Sequence, residues 1–301
     1  MPLVRWGILS TADIGMSRVI PAIQRAENCE VVAIASRDIR RASAAAAELG
    51  IRAAYGCYED LLDAEDVDAV YVPLPNDLHA EWVIKAAAAH KHVLCEKPLA
   101  LSAVQAEEMA LACQHAGVKL QEAFMYRHHP QWVEAIRLLK DGTIGDLVSV
   151  ESWFSFYNDD PTNIRNRPES GGGAMMDIGC YSINVARMLF GAEPVRIRSE
   201  IRRDAEMGID IVGSATLDFP DGGWSTFTCS TRAEDDQWVH IVGSAGRIEF
   251  EIPFNPPPPR IEDLRHNRLT SSNADNHRHD RVSSRRSLHD PSRAVRPCRS
   301  R

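Results

Sequence analysis

Val4-Arg5-Trp6-Gly7-Ile8-Leu9-Ser10-Thr11-Ala12-Asp13-Ile14-Gly15 opens the chain, and its reading decides the fold. A short apolar run ends in small and polar residues. A helix-like stretch follows, in which Val19, Ile20, Ile23 and Ala26 recur at helical spacing. Val31-Val32-Ala33-Ile34-Ala35 is then a buried strand by composition. Strand, turn, helix and strand in that order open a dinucleotide-binding fold. The usual fingerprint places glycines at positions 10, 12 and 15; here only Gly15 is present, with Ser10 and Ala12 at the other two. Small residues still let a backbone approach a pyrophosphate, and a helix N-terminus still favours its charge. Ser10, Thr11, Ala12, Ile14 and Gly15 are therefore the candidate cofactor turn. A tight turn in any α/β protein would read the same way.

The end of the second strand says more. An NAD site places a carboxylate there for the ribose 2′-hydroxyl. This chain has Ser36-Arg37, with Arg41 close behind. A hydroxyl and guanidinium groups suit a 2′-phosphate, which a carboxylate would repel. The cofactor expected is NADP rather than NAD. Alternatively, Arg37 is a solvated residue opening the next helix, with Asp38 as its N-cap.

The alternation continues with an Ala-rich helix at 42–49 and a strand at 67–72. Pro73-Leu74-Pro75-Asn76-Asp77-Leu78-His79 is a loop by its prolines and asparagine. A helix at 80–90, a strand at 92–95, a helix at 102–116 and a strand at 118–123 complete the pattern. Repeated β-α units call for a parallel sheet with right-handed crossovers. The strand at 92–95 delivers Glu96, Lys97 and Pro98 in succession. A lysine held at the carboxyl end of a parallel strand can be desolvated and can trade protons; a surface turn containing Glu-Lys-Pro would look alike. His79, also beyond a strand end, is a candidate for lining a nicotinamide pocket. Residues 1–122 form the first expected domain.

Phe124-Met125-Tyr126-Arg127-His128-His129-Pro130 follows a strand end and is polar and aromatic, so Tyr126 and Arg127 are candidates for a substrate pocket. The adjacent histidines do not suggest a metal, because neighbours on an extended chain face opposite ways. From about residue 140 the composition turns β-rich, with strand-like runs at 147–157, 195–201, 211–219, 224–230, 238–242 and 247–252. Residues 123–259 are expected to be an α+β domain with a mainly antiparallel open sheet. Between its first two strands lies Gly171-Gly172-Gly173-Ala174-Met175-Met176-Asp177-Ile178-Gly179-Cys180-Tyr181. Asp177 and Tyr181 are four apart and would share one helix face. A carboxylate beside a phenol can handle protons; a capped helix with a buried tyrosine is the plainer alternative.

Composition narrows the function classes. The chain has 301 residues and a formal net charge of −8, which disfavours nucleic acid as the main partner. Seven dispersed cysteines without a C-x-x-C pair indicate neither a zinc ribbon nor a dithiol site. No metal is expected. With no membrane-length apolar run and no signal-peptide pattern at the start, the expected location is cytoplasmic. Residues 260–301 are rich in Arg, Ser and His and poor in periodic apolar residues, so a disordered basic tail is expected, with no final strand or helix. Either the reading frame changes near residue 259 or the basic arm is genuine.

Glu96-Lys97-Pro98, the Pro-Leu-Pro-Asn-x-x-His loop at 73–79 and the Gly-Gly-Gly-Ala-Met-Met-Asp-Ile-Gly-x-Tyr stretch at 171–181 together resemble the Gfo/Idh/MocA oxidoreductase family, over about residues 3 to 255. Tyr181 and the opening Gly-Ile-Leu-Ser-Thr-Ala are similar to its NADP-dependent xylose dehydrogenase and dimeric dihydrodiol dehydrogenase branch. The resemblance implies hydride transfer between NADP and a hydroxyl of a sugar or cyclic diol. It implies that Lys97 and Tyr181 share the proton work, with the ammonium lowering the tyrosine pKa. Asp177 would orient the substrate or tune that pair, and Glu96 would brace Lys97. Pro73, Leu74, Asn76, His79, Glu96 and Lys97 would contact the cofactor, and Tyr126, Arg127, Asp177 and Tyr181 the substrate. It also implies a homodimer through the face of the second sheet. A second function class stays open: a non-catalytic NADP-binding protein whose substrate domain is incomplete.

Overall fold

The computed structural model describes residues 2–257 and the strand Arg268–Ser271. Six strands form the first sheet: β1 (Val4–Leu9), β2 (Cys29–Ala35), β3 (Ala53–Tyr55), β4 (Ala69–Val72), β5 (His92–Cys95) and β6 (Leu120–Glu122). All pair in parallel, in the order β3-β2-β1-β4-β5-β6. Val31–Ala35 and Ala69–Val72 are buried throughout, as parallel strands covered on both faces must be. The strand order reverses between β1 and β4, where a doubly wound sheet opens a crevice at its carboxyl edge.

The first connection begins with a π-helical turn at Gly15–Val19 and continues as α1 (Ile20–Arg25). The others run through α2 (Ile39–Leu49), α3 (Tyr58–Leu62), α4 (His79–Ala88) and α5 (Ala103–His115). α2 buries Ala42, Ala45 and Ala46 on one face, and Asp38 caps it by accepting the Arg40 N–H. The capping reading of Asp38 is thus realised, and it leaves Arg37 exposed beside the cap.

The second body contains α6 (Pro130–Lys140), β7 (Leu147–Tyr157), α7 (Cys180–Phe190), β8 (Arg196–Arg203), β9 (Asp210–Asp218), β10 (Trp224–Ser230), β11 (Arg232–Gly243), β12 (Gly246–Phe250) and β13 (Arg268–Ser271). The strand order is β13-β12-β11-β7-β10-β9-β8. Only β7 and β10 pair in parallel; every other pair is antiparallel. The α/β and α+β architecture expected from the sequence is the one observed. One face of this sheet buries an aromatic core. Trp132 is fully buried, donates its indole N–H to the Pro253 carbonyl at 2.7 Å and stacks on Phe250 at 4.4 Å.

All eight residues of β8 are exposed, and five are charged, which protects a sheet edge from further pairing. At the opposite edge β13 pairs with Gly246–Glu249 of β12. Four residues beyond 259 thus extend the sheet, where the sequence offered no strand. The rest of the expected disordered tail, 260–301, lies outside the described residues. No helix among the described residues is long and apolar enough to cross a membrane.

Candidate active site

At the end of β1 the chain turns with Ser10 at φ +144°, a conformation that favours glycine. The backbone of the fingerprint is kept although its first glycine is not. Ser10, Thr11 and Ala12 are partly exposed along this turn, and Ile14 is exposed ahead of buried Gly15. At the end of β2, Ser36 is 7% exposed and Arg37 and Arg41 are exposed. A turn of small residues, a helix start and cationic groups one strand away fit a phosphorylated dinucleotide.

Lys97 follows β5, and its peptide bond to Pro98 is cis. Its side chain crosses to the second body. The ammonium donates to the Asp177 carbonyl at 2.6 Å and to Asp177 Oδ1 at 3.1 Å. Both side chains are nearly sealed, at 14% and 12% exposed. Asp177 Oδ2 accepts from Arg165 Nε at 2.9 Å. Lys97 Nζ stands 5.0 Å from the ring centroid of Tyr181, which is 4% exposed. Residues 80 positions apart thus meet at one point.

Glycine places Asp177 there. Gly173 has φ +119°, and a Cβ on it would fall 2.2 Å from Asp210 Oδ1. Asp210 Oδ2 accepts the Met175 N–H at 2.7 Å, and the Gly173 carbonyl accepts the Asp177 N–H at 3.0 Å. Asp177 lies in a π-helical turn, Met175–Gly179, that leads into α7. The single helix expected over this stretch is therefore two elements. Gly171 makes the contact with the first body: its carbonyl accepts from Asn76 Nδ2 at 2.9 Å, and a Cβ there would meet Leu101 at 2.1 Å.

Charge follows the geometry. Burial pushes the Asp177 carboxyl up, but Lys97 and Arg165 together pull it below its ordinary value. Burial pulls Lys97 down, but Asp177 and the neighbouring groups hold it above its ordinary value. The pair stays ionised. Burial pushes the Tyr181 phenol up to about 12, against the lowering by Lys97. This corrects the sequence expectation: the ammonium was to bring the phenol towards working pH, and desolvation outweighs it.

Burial revises two further expectations and makes a third, the bracing by Glu96, specific. Tyr126 is fully buried; its hydroxyl donates to Asn184 Oδ1 at 2.5 Å and its ring packs on Trp132, Tyr181 and Phe254. Its side chain is part of the aromatic core under the site, whereas Arg127 is exposed. His79 is also fully buried, with Nδ1 2.9 Å from the Pro98 carbonyl and Nε2 2.8 Å from the Leu74 carbonyl. It ties the loop after β4 to the loop after β5, and both ring nitrogens are taken. Pro73 and Leu74 are buried with it. Glu96 accepts from the Tyr71 hydroxyl at 2.6 Å and from the Lys97 N–H at 3.3 Å. It braces the backbone of Lys97 and leaves the ammonium to Asp177.

Arg165, Tyr71 and Asp210 were missed in the sequence. None sits in a motif: Arg165 reads as a polar loop residue, Tyr71 as a strand aromatic and Asp210 as a strand start. Among the described residues no group of three or more His, Cys, Asp or Glu side chains could hold a metal ion.

Comparison with known proteins places both bodies of the chain in one family. Residues 4–124 match the model of an oxidoreductase family with an NAD-binding Rossmann fold, and residues 132–249 match the GFO/IDH/MocA C-terminal domain. The chain is 44% identical over 260 residues to D-xylose 1-dehydrogenase (NADP(+)) 2 of Haloferax volcanii, covering 86% of this chain and 79% of that protein. It is 34% identical over 251 residues to trans-1,2-dihydrobenzene-1,2-diol dehydrogenase of Mus musculus, covering 82% and 74%. Its structure is similar to the crystal structure of KijD10, a 3-ketoreductase from Actinomadura kijaniata in complex with NADP and TDP-benzene. The TM-score is 0.79 at 33% identity, covering 89% of this chain and 84% of that one.

Proposed function

Because the chain belongs to the Gfo/Idh/MocA family of oxidoreductases, we propose that it moves hydride between NADP and a carbon bearing a hydroxyl, in an aldose such as xylose or in a cyclic diol. One observation carries this reading: Lys97, Asp177 and Tyr181 converge beyond the carboxyl edge of the first sheet. The dinucleotide supplies or accepts the hydride. Lys97, Asp177 and Tyr181 are proposed as the catalytic residues. Ser10, Thr11, Ala12, Ile14 and Gly15 would pass the pyrophosphate, and Ser36, Arg37 and Arg41 would hold a 2′-phosphate. The relatives that act with NADP support that choice.

Two of the three ammonium hydrogens of Lys97 are spent on Asp177. The third is available to a substrate oxygen. The Tyr181 phenol, at about 12, keeps its proton at neutral pH and enters carbonyl reduction as an acid. In the oxidative direction the reverse applies: Tyr181 starts as the phenolate that the reduction leaves behind, accepts the hydroxyl proton as hydride departs, and must first lose its own proton to solvent, so oxidation is expected to gain with rising pH.

Thermal unfolding with NADPH and with NADH at equal concentration tests the cofactor. A ligand at ~100 times its Kd stabilises by about 2.7 kcal/mol. NADPH is expected to raise the midpoint more than NADH. Arg37→Ala is expected to weaken NADPH about tenfold or more and leave NADH nearly unchanged, since a charge-assisted phosphate contact is worth about 1.5–3 kcal/mol. Equal shifts with both cofactors would refute the NADP assignment. Turnover is then measured on aldoses and dihydrodiols; NADPH binding without turnover on any of them would favour the non-catalytic reading.

The outer face of the second sheet supports the homodimer proposal. Trp153 and Trp238 are register partners there, over an open cavity of about 470 Å³ that Glu151, Thr226 and Thr228 also line. Sedimentation is expected to show a dimer that Trp238→Asp converts to monomer. A monomeric parent protein would rule the dimer out.

A further inference from the structure

Asp177 is shared between two cations, and only one of them belongs to the proton-handling pair. Oδ1 accepts from Lys97 and Oδ2 accepts from Arg165 Nε at 2.9 Å. The guanidinium is 46% exposed while the carboxylate is 12% exposed, so Arg165 covers Asp177 from the solvent side. Among the described residues its terminal nitrogens take no partner, and its one side-chain bond is to Asp177.

The loop that carries Arg165 is clamped. Its carbonyl accepts the Gly173 N–H at 2.9 Å, and a Cβ on Gly172 would fall 2.5 Å from that same oxygen. The next residue, Asn166, is 3% exposed and donates to Asn158 Oδ1 at 2.7 Å and to the Asp160 carbonyl at 2.8 Å. A rigid loop thus presents a guanidinium to one oxygen of a carboxylate whose other oxygen holds the lysine. A surface ion pair that merely closes a loop would have both ends exposed and mobile, and would contribute little. Here one end is the sealed carboxylate of the site.

We infer that Arg165 is a positioning residue: it fixes the rotation of the Asp177 carboxylate and keeps it ionised, so that Lys97 retains one free N–H aimed at the substrate oxygen. With Arg165 removed, the carboxylate can turn about its Cβ–Cγ bond and draw the ammonium with it. The trio also carries one net positive charge, which favours oxyanion character on the substrate at the moment of proton transfer. This inference rests on the function proposed above.

Arg165→Gln and Arg165→Lys test it in the full chain. On a substrate found active, Arg165→Gln is expected to lower kcat about 10–100-fold, the range for a lost orienting contact, with the KM for NADPH within about twofold. The groups facing Asp177 are Lys97 after β5, Arg165 itself, Cys180 and Tyr181 on α7, and Cys229 on β10, with Glu122 at the end of β6 acting on Lys97 and Cys180. Loss of one of its two cations raises the carboxyl pKa, so the acid limb of kcat/KM is expected to move to higher pH. Arg165→Lys keeps the charge without the fixed Nε geometry and is expected to restore the acid limb but only part of kcat. A second readout needs no substrate. In the ligand-free protein the ¹³C carboxyl signal of Asp177, identified by its loss in Asp177→Asn, is expected to titrate at higher pH in Arg165→Gln than in the parent.

An unchanged kcat with an unchanged Asp177 titration in a folded Arg165→Gln overturns the inference. So does a loss that appears equally in KM for NADPH and in the thermal midpoint, which is what a purely structural residue would give. Lys97→Met, assayed beside them, separates this from failure of the proposed function. If Lys97→Met is inactive and Arg165→Gln is unaffected, only the role of Arg165 is wrong. If both turn over normally, the site itself is wrong.

Discussion

Lys97→Met is expected to lower kcat by about three orders of magnitude while the NADPH-dependent thermal shift persists. Methionine keeps the length of the side chain and removes the charge and all three donors. The substrate oxygen then loses the ammonium that would hold it, and the phenol of Tyr181 loses the cation 5.0 Å from its ring. Removal of a proton-handling group costs about 10²–10⁴ in rate. Stability is expected to fall by about 1–3 kcal/mol. Breaking a buried pair costs about 3–5 kcal/mol, but Arg165 stays bonded to Asp177 and part of the pair reaches solvent. Single-turnover rates with NADPH preloaded check the chemical step, and calorimetry checks the fold. A variant that kept even a tenth of the parent kcat would remove Lys97 from the chemistry.

Gly173→Ala is expected to damage the site from behind, without touching any reacting group. The residue has φ +119°, and its new methyl would lie 2.2 Å from Asp210 Oδ1. The backbone term costs about 1–3 kcal/mol, and forcing the carboxylate aside costs about 1–3 kcal/mol more. Asp210 then releases the Met175 N–H, and the turn that carries Asp177 shifts. A displacement of about 1 Å at Asp177 is enough for a hundredfold loss of kcat. Urea unfolding and kcat should therefore both fall, with the KM for NADPH little changed because Ser10–Gly15 and Arg37 are on the other body. A Gly173→Ala protein with the parent's urea midpoint would mean that the loop has room which the geometry denies.

Much of the first body was legible because local chemistry alone specifies it. Val31–Ala35 and Ala69–Val72 are too apolar for anything but a covered parallel strand. Two prolines and an asparagine after β4 end that strand wherever it is placed. Asp38 caps α2 through a residue two positions away, so its role needed no tertiary information. Strand bounds in the second sheet shift by a few residues, as with β11, which begins at Arg232 and not at Trp238. Cross-strand pairing with β7 extends it past its apolar stretch.

Lys97, Asp177 and Tyr181 were readable as candidates because Glu96-Lys97-Pro98, the loop at 73–79 and the glycine-rich stretch at 171–181 occur together in one order, although each alone could be an ordinary turn or helix start. Their order of contact was not readable. Tyr126 and His79 have the same polar character as Tyr181, yet both are buried as structural ties. A phenol or an imidazole satisfies a buried partner as readily as a substrate, and only the packing of distant elements decides which it meets. Arg165 carries no local signal at all, since its partner lies 12 residues away across a glycine turn.

The sequence by itself determined the parallel sheet, the small-residue turn after β1 and the residue types at the sheet's carboxyl edge, because those follow from hydrophobic periodicity and turn chemistry within one short window. Only the tertiary structure decided which charges pair, which aromatic rings are core and where the phenol titrates. Those depend on burial and on contacts between groups far apart in the chain, 80 residues for Lys97 and Asp177 and 121 for Trp132 and Pro253, and desolvation outweighed the nearby ammonium at Tyr181.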